Sequence, residues 1–141
     1  MAMTIRVDIV SAEAEIYSGQ ATMLFASAEM GEVGISPRHA PLVTRLKPGD
    51  VRVQKDNGEE EMFYVSGGIL EVQPHHVTVL SDTAIRARDL DEAAAQQAKK
   101  DAEERIAHQQ DEYDYARARA ELAEAAAQLQ TIRKLRRGGR A

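Results

Sequence analysis

The 141-residue sequence contains no cysteine and no tryptophan, and aromatic residues make up only 4% of it. The absence of cysteine excludes disulfide bonds, thiolate metal ligands and a cysteine nucleophile. No apolar run approaches the roughly 18 to 20 residues that cross a bilayer, and the residues after Met1 lack the apolar core of a signal peptide. We therefore expect a chain that suits a reducing compartment and is not an integral membrane protein.

The charged residues are unevenly distributed. The net charge of −5 arises in residues 1–87, which hold 7 Lys and Arg against 12 Asp and Glu, whereas residues 88–141 hold 11 of each. The last nine positions nevertheless contain five basic residues and no acid. A basic end is typical of a solubilising terminus or of contact with an acidic protein partner, and the acidity of the whole chain argues against nucleic acid.

The first 87 residues are predicted to form a β-domain. Apolar and polar residues alternate from Ile5 to Ile9, which is the period of a half-buried strand. Asn57-Gly58 predicts a tight type I′ hairpin, and the glycines and prolines of residues 31–42 predict a compact turned loop. Without helical periodicity, this pattern favours an antiparallel sandwich or barrel that ends near Ile85 to Arg88.

Residues 89–137 are predicted to form two helices joined by a polar break at Gln109-Gln110-Asp111. We expect Asp89 to cap the first helix, with Glu92 completing a capping-box-like pattern, and Gly138-Gly139 to follow the second helix. The first helix carries an apolar stripe and the second a narrow apolar seam. The stripe comprises Leu90, Ala94, Ala98, Ala102 and Ile106, and the seam comprises Tyr115, Ala118, Leu122, Ala125, Leu129 and Ile132.

The whole helical segment is rich in alanine, and the small side chain of alanine has little area to bury. At about 25 cal/mol per Å² of apolar area, each alanine contact is worth a fraction of a leucine contact. Two such helices close on each other only weakly, so we expect the hairpin to need a further surface. The β-domain or a helix of a partner protein could supply it.

No arrangement of residues predicts an independent enzyme. His75-His76 precede a strand, where adjacent side chains point to opposite faces and cannot grip one metal together. His39 lies in the predicted loop without a nearby serine, cysteine or carboxylate relay, which favours a structural or interface histidine. No glycine-rich phosphate loop precedes a helix. We therefore expect no catalytic residue, no metal site and no cofactor.

Three stretches of the β-domain resemble one known family. Residues Gly31–Leu42 read GEVGISPRHAPL, Tyr64–Val72 read YVSGGILEV, and Val77–Ala84 read VTVLSDTA. In order and spacing they are similar to the ε subunit of bacterial F-type ATP synthases, called δ in mitochondria. The opening residues Asp8–Glu13 and the start of the helical part, Asp89–Ala93, also fit, so the resemblance covers nearly the whole chain.

The resemblance implies an α+β chain of two parts: a ten-stranded antiparallel β-sandwich, residues 1–87, followed by an antiparallel two-helix hairpin, residues 88–141. It implies a non-catalytic subunit at the foot of the rotating central stalk, where the sandwich binds the γ subunit and the ring of c subunits. Such a subunit is peripheral, lies on the cytoplasmic face of the bacterial inner membrane and meets the membrane only through the complex. The extended hairpin is implied to reach the α and β subunits and to stall ATP hydrolysis.

The resemblance also implies two sets of partner-binding residues. The set expected at the c-ring or γ contact is Glu32, Arg38 and His39. The set expected to meet acidic segments of the β subunit is Arg133, Lys134, Arg136 and Arg137. A basic helix end also suits the negative pole of a helix dipole, which is the purely structural interpretation of the second set.

Some members of the family bind ATP on the folded hairpin through the motif I/L-D-x-x-R-A. The corresponding positions here are Leu90, Asp91, Ala94 and Ala95, so alanine stands where the motif has arginine. Alanine cannot supply the charged fork with which arginine pairs with phosphate. We expect weak or absent nucleotide binding, for which Arg88 or Lys99 could be a partial substitute.

A second class of protein also fits the two-part pattern. In a free-standing adaptor, the sandwich would bind one protein and a coiled-coil arm would bind another. The two interpretations differ in whether the chain forms a stable complex with γ.

Overall fold

A computed structural model describes residues 3–108 and 111–138. Within them, nine strands precede two α-helices, which confirms the predicted order of a β-domain and a helical hairpin. The strands are β1 (Ile5–Ser11), β2 (Glu15–Ala21), β3 (Met23–Ala28), β4 (Gly31–Ile35), β5 (Leu42–Gln54), β6 (Glu60–Val65), β7 (Gly68–Gln73), β8 (His76–Ser81) and β9 (Ala84–Arg86). The helices are α1 (Glu92–Ala107) and α2 (Glu112–Gly138).

The expected tenth strand is not found among the described residues, because one long strand serves both layers of the sandwich. β5 runs for 13 residues and pairs with β7 in its first part and with β3 and β6 in its second. The β3–β5 register jumps between Ala26, opposite Val51, and Ala28, opposite Leu46. The residues between Leu46 and Val51 therefore form a bulge at which β5 bends from one layer to the other.

The predicted antiparallel sandwich is confirmed with one exception among the described strands. The strands follow the order β2-β1-β8-β7-β5-β3-β4, and β6 joins β5 to β9. Among the described strands, β1 and β8 form the one parallel pair, from Arg6 opposite His76 to Ser11 opposite Ser81. This follows from the connectivity, because the β2 hairpin occupies one edge of β1 and β8 reaches the other edge running in the same direction as β1.

The core of the sandwich is built from alternate residues of the strands. In β1, Ile5, Val7 and Ile9 are at most 1% exposed, as their alternation predicts. Phe63 of β6 packs against Tyr17 of β2, with ring centroids 5.5 Å apart. Each fully buried side chain of this size contributes about 1.5–3 kcal/mol through the hydrophobic effect. The sandwich therefore has a firm core of its own.

The stretch 31–42 is a loop only in its second half. Its first five residues form β4 and pair with β3, which corrects the prediction of a turned loop throughout. Gly34 is suited to this strand because an added Cβ would lie 3.3 Å from Cε1 of the Phe25 ring. The turn follows β4 and includes Arg38, a non-glycine residue with a φ of 63°.

The hairpin at Asn57-Gly58 forms, but with a different turn from the predicted type I′. Gly58 has a φ of 87°, whereas Asn57 is not among the positive-φ residues of the described chain. The Lys55 N–H donates to the Glu59 carbonyl at 2.8 Å, and the Gly58 N–H donates to the Lys55 carbonyl at 3.1 Å. A loop of this length favours a type I turn followed by a left-handed glycine.

The first helix begins later than predicted. Ala87–Asp89 form a short 3₁₀ turn, and Asp91 rather than Asp89 caps α1 by accepting a hydrogen bond from the Ala94 N–H at 3.0 Å. Asp89 is held within the turn, which the Leu90 N–H closes by donating to the Ala87 carbonyl at 3.2 Å. Only after that turn can a carboxylate reach free helical N–H groups.

The second helix starts as predicted at the polar break. Asp111 accepts a hydrogen bond from the Asp114 N–H at 2.7 Å, which is the geometry of a helix N-cap. α2 includes Gly138, one residue beyond the predicted end. Several residues of the predicted helical part lie outside the described residues. They include Gln109 and Gln110 of the predicted break, Gly139, and the basic Arg140. In the parts of the chain that the structure describes, neither helix is long and apolar enough to cross a bilayer.

The predicted seam of α2 is confirmed, because all of its residues are buried or half-buried. The predicted stripe of α1 is confirmed only in part. Ala102 is buried and Leu90 and Ile106 are half-buried, but Ala94 and Ala98 are exposed, and Ala95, outside the stripe, is buried instead. Steps of four alone drift around a helix by about 40° each, so such a stripe turns away from its partner. The buried positions instead follow a seven-residue spacing, as in paired helices.

Candidate functional site

The helical hairpin is docked on the sandwich, and α2 covers the outer face of β5 and β6. Asp50 and Tyr64 are register partners on these strands and are only 5% and 1% exposed. The adjacent register partners Val51 and Phe63 are fully buried as well. Because side chains alternate across a strand, burial of both neighbours means that these strands face the core on one side and α2 on the other.

α2 meets the sandwich with a face that is separate from its seam. This face is formed by residues at steps of three and four, which lie on one side of a helix. They are Glu124, Ala127, Thr131 and Lys134. Ala127 and Thr131 are buried there. The Thr131 hydroxyl donates to the Ala127 carbonyl at 2.8 Å, so burial leaves it satisfied. α2 is thus buried along two sides.

Four alternating charges run from the C-terminal part of α2 across the sandwich surface. Lys134 Nζ lies 2.7 Å from Asp50 Oδ1, and Arg52 Nε lies 3.3 Å from Asp50 Oδ2. Arg52 also pairs with Glu32 of β4 through its terminal guanidinium nitrogen. We call Lys134, Asp50, Arg52 and Glu32 the charge chain. The Asp50 side chain is 6% exposed and the Lys134 side chain is 32% exposed. The charge chain is therefore more deeply buried at Asp50 than at its Lys134 end.

Two further ion pairs hold α1 and α2 together. Arg136, near the end of α2, pairs with Glu92 in the first turn of α1. Arg105, in the last turn of α1, pairs with Glu121. Both pairs are largely exposed, and exposed ion pairs contribute about 0–1 kcal/mol each. They define the antiparallel arrangement of the helices more than they strengthen it.

The four basic residues predicted to act together are divided by the docked hairpin. Lys134 pairs with the sandwich and Arg136 with α1, whereas the side chains of Arg133 and Arg137 are exposed. Arg137 lines an open cleft of about 690 Å³ between the end of α2 and the sandwich. In this conformation, two of the predicted partner contacts are occupied within the chain.

The middle of the docked surface is electrostatically unfavourable. Partial burial, with the nearby charges of Glu121 and Asp82, raises the pKa of Glu124. Burial, together with the charge of Glu124, raises the pKa of Tyr64 to about 12, although Gln128 partly opposes the shift. The Tyr64 hydroxyl is buried without a partner in full hydrogen-bonding geometry among the described residues, and Gln128 is the nearby polar group.

The three residues predicted at the c-ring or γ contact do not form one cluster. Glu32 is near the start of β4 and pairs with Arg52. Arg38 and His39 lie beyond the other end of that strand, which at 3.3 Å per residue is about 10 Å from Glu32. The Arg38 N–H donates to the Pro74 carbonyl at 2.8 Å, which fixes the turn to the β7–β8 connection. His39 Nδ1 lies 2.7 Å from the Ala40 carbonyl oxygen.

The residues of the degenerate ATP motif lie at the start of α1. Leu90 is half-buried, Asp91 caps the helix, and Ala95 is buried against α2. Ala94 is exposed and contributes its backbone N–H to the cap. The position at which the motif carries arginine therefore faces solvent with a methyl group alone.

The histidine pair lies at the start of β8. His76 Nε2 is 2.6 Å from Asp8 Oδ2 of the neighbouring strand. Partial burial acts to raise the pKa of Asp8, but hydrogen bonds from Ser18, His76 and Arg6 outweigh it and lower the pKa. Within residues 3–108 and 111–138, no three histidine or acidic side chains are grouped as metal ligands. The His76–Asp8 contact belongs to the surface of the sandwich.

Asp50, Arg52, Tyr64 and Glu124 were not predicted from the sequence. Lys47-Pro48-Gly49-Asp50 resembles an exposed turn, but it occupies the bend of β5, and its last residue, Asp50, is buried and pairs with Lys134 of α2. Tyr64 lies within a predicted strand, where alternation alone places it on the solvent side. A second apolar-or-small face of α2, at Ala127 and Thr131, was the available signal that this helix is covered on two sides.

A small β-sandwich that carries a docked C-terminal helical hairpin defines the class of this protein. Residues 4–87 match the family model "ATP synthase, Delta/Epsilon chain, beta-sandwich domain". Residues 88–133 match the model "ATP synthase, Delta/Epsilon chain, long alpha-helix domain". The chain belongs to the delta/epsilon chain family of ATP synthase.

Relatives from other bacteria are similar over nearly the full length. The chain is 66% identical over 137 residues to the ATP synthase epsilon chain of Nitrosococcus oceani, covering 97% of this chain and 98% of that one. It is 66% identical over 134 residues to the ATP synthase epsilon chain of Alkalilimnicola ehrlichii, covering 95% and 96%.

Two solved structures share the fold at low sequence identity. A chain of the Euglena gracilis mitochondrial ATP synthase, solved as OSCP/F1/c-ring, aligns with a TM-score of 0.80 at 19% identity, over 88% of this chain and 78% of that one. A chain from the central stalk and c-ring of the Tetrahymena thermophila mitochondrial ATP synthase aligns with a TM-score of 0.63 at 14% identity, over 92% and 97%.

Proposed function

We propose that this chain is a non-catalytic subunit of the rotating central stalk of a proton-translocating ATP synthase. Its family membership over residues 4–87 and 88–133 carries the proposal. The bacterial epsilon chains that are 66% identical to it support the same role. As a peripheral subunit of that complex, the chain lies on the cytoplasmic face of the bacterial inner membrane and meets the membrane only through its partners.

The sandwich is the mount in this proposal: it binds γ on one side and the c-ring below, so that rotation of the ring is passed to γ. Arg38 supports a contact role because its side chain is exposed while its backbone is fixed to Pro74. Glu32 and His39 complete the proposed contact set. Glu32 is already paired with Arg52, so a partner must compete for it.

The hairpin is the regulatory arm in this proposal. In the docked conformation the hairpin lies on β5 and β6. In the extended conformation it contacts the α and β subunits and stalls rotation in the direction of ATP hydrolysis. Arg133, Lys134, Arg136 and Arg137 then meet acidic segments of β. The alanine-rich helices and the unfavourable centre of the docked surface support an arm that leaves the sandwich at small cost in free energy.

The arm takes no cofactor in this proposal and binds ATP weakly or not at all. The exposed methyl group of Ala94 supports this, because no charged fork stands at that point of the docked hairpin. Regulation of the arm must then come chiefly from its protein contacts and its charges.

Association with γ tests the stalk role. The tagged full-length chain is mixed with γ and the complex is measured by size exclusion and by titration. We expect a stable complex, and we expect Arg38→Glu to weaken assembly with γ and the c-ring by about tenfold, because a reversed charge at an interface repels the partner's complementary surface. Arg117→Glu, a matched reversal at an exposed position of α2, should leave assembly unchanged. If no complex with γ forms, the adaptor interpretation replaces this one.

A further inference from the structure

The charge chain joins two residues that belong to different proposed contacts. Lys134 lies on the arm, and Glu32 lies at the surface of the sandwich. Between them, Asp50 contacts both Lys134 and Arg52, and Arg52 contacts both Asp50 and Glu32. Each of the two central residues is therefore shared between two partners of opposite charge, so a change at one end alters what remains available at the other.

We propose that the charge chain is a latch, in which the Glu32–Arg52 pair on the sandwich sets how strongly Asp50 holds Lys134 and thereby how tightly the arm is docked. Docking confines Lys134 beside a carboxylate that is almost completely buried. A buried carboxylate that loses one cationic partner is poorly compensated, so the contact strengthens docking more than an exposed pair would.

Because Arg52 is shared between Asp50 and Glu32, removing the charge of Glu32 and removing the charge of Arg52 should have opposite effects on how tightly Lys134 is held. Removing the charge of Glu32 leaves Arg52 free to pair with Asp50 alone. The summed charge of the four charge-chain residues changes from zero to +1, so Lys134 is held less tightly. Removing the charge of Arg52 leaves two carboxylates and changes the net charge to −1, so Lys134 is held more tightly. General damage to the sandwich would loosen the arm in both cases.

The rest of the docked surface leaves the latch able to decide the balance. The centre of that surface holds the Tyr64 hydroxyl, which has no partner in full hydrogen-bonding geometry among the described residues, and the half-buried Glu124 among other acids. Three of the six buried residues of α2 are alanine, which buries little apolar area. Where the free energy of the apolar contacts nearly cancels the cost of these polar groups, one partly buried ion pair shifts the equilibrium between docked and undocked arms measurably.

The regulatory meaning of the latch rests on the proposed function. Lys134 belongs to the set proposed to meet acidic β-subunit segments, and it cannot do so while Asp50 holds it. Glu32 belongs to the set proposed at the c-ring or γ contact. A cationic side chain of a partner that captures Glu32 would act as removal of its charge does, and would loosen the arm from the other end of the charge chain.

A single introduced thiol measures the latch in the isolated full-length chain, which has no cysteine of its own. Ala127→Cys places the thiol on the buried, sandwich-facing side of α2, where a thiol reagent reaches it only when the arm opens. The labelling rate then follows the open population. Ala26→Cys in β3, which is 1% exposed, reports opening of the sandwich itself and separates the two events.

In the Ala127→Cys background, we expect Lys134→Met to speed labelling roughly three- to tenfold and Glu32→Gln roughly twofold, and Arg52→Gln to slow it. Arg133→Met, a matched change at an exposed position one residue away, should leave the rate unchanged. Once Lys134 is replaced, Glu32→Gln should have no further effect, because its influence passes through Lys134.

The latch is contradicted if Lys134→Met labels no faster than Arg133→Met, or if Glu32→Gln acts equally with and without Lys134. It is also contradicted if Arg52→Gln speeds labelling at Ala127→Cys while labelling at Ala26→Cys is unchanged. Loss of γ binding, measured separately, would remove the stalk role and leave these rates as they are, so the two failures are distinguishable.

Discussion

Replacing Tyr64 by phenylalanine should tighten the docking of the arm. The hydroxyl of Tyr64 lies under α2, in a residue that is 1% exposed, and has no partner in full hydrogen-bonding geometry among the described residues. When the arm leaves, water can satisfy this hydroxyl. The native side chain therefore favours the undocked arm, and Tyr64→Phe removes that preference without changing the shape of the ring.

The size of the effect follows from the cost of an unsatisfied buried polar group, about 1–3 kcal/mol. The nearby Gln128 recovers part of it, so about 1 kcal/mol is the working value. Since about 1.4 kcal/mol corresponds to a factor of ten, the ratio of docked to undocked arms should rise roughly fivefold.

Hydrogen exchange of the α2 amides measures this ratio, because protection of a docked helix follows its local opening. Tyr64→Phe should slow exchange along the sandwich-facing side of α2. Tyr113→Phe is the matched control, since Tyr113 is 73% exposed at the start of the same helix and its hydroxyl is already hydrated. Unchanged or faster exchange in Tyr64→Phe would refute the reasoning and would show that Gln128 satisfies the hydroxyl fully.

Three further predictions concern the arm. Because docking raises the pKa of Glu124, the docked state binds the proton more tightly than the undocked state. Docking should therefore strengthen as pH falls through the raised pKa toward the ordinary 4.5, and weaken as pH rises. Glu124→Gln should abolish this pH dependence, which is measured by α2 amide exchange over a pH series. Asp91→Ala should destabilise α1 by about 0.5–2 kcal/mol in chemical denaturation, whereas Asp89→Ala should not, because Asp91 is the cap. Calorimetry should detect at most weak ATP binding by the native chain and stronger binding by Ala94→Arg, which restores the charged fork; micromolar affinity of the native chain would contradict the first part.

The fold was predictable where local pattern and tertiary contacts agree. The apolar residues that alternate from Ile5 to Ile9 are buried in the structure, and those of the seam from Tyr115 to Ile132 are buried or half-buried. The number of strands was not predictable, since nothing local shows that β5 bends through Lys47–Asp50 and continues into the second layer. The parallel β1–β8 pair is likewise a product of long-range connectivity.

The charged surface beneath the arm was only half predictable. A basic helix end is visible in the sequence, so Lys134 and Arg136 could be named, but their partners Asp50 and Glu92 are 84 and 44 positions away. The start of α1 was missed because the cap at Asp91 follows a 3₁₀ turn that no local pattern in the sequence indicates. Burial of Asp50 depends on α2, which no local pattern around Asp50 reveals.

ATP hydrolysis by the reconstituted synthase tests the regulatory claim most directly. The chain is truncated after Thr131, which removes all four basic residues proposed to meet β, and hydrolysis is compared with that of the complex that holds the full chain. We expect the truncated chain to assemble with γ and to give faster hydrolysis. Equal rates from the two assembled complexes would contradict the proposal that this arm restrains the enzyme.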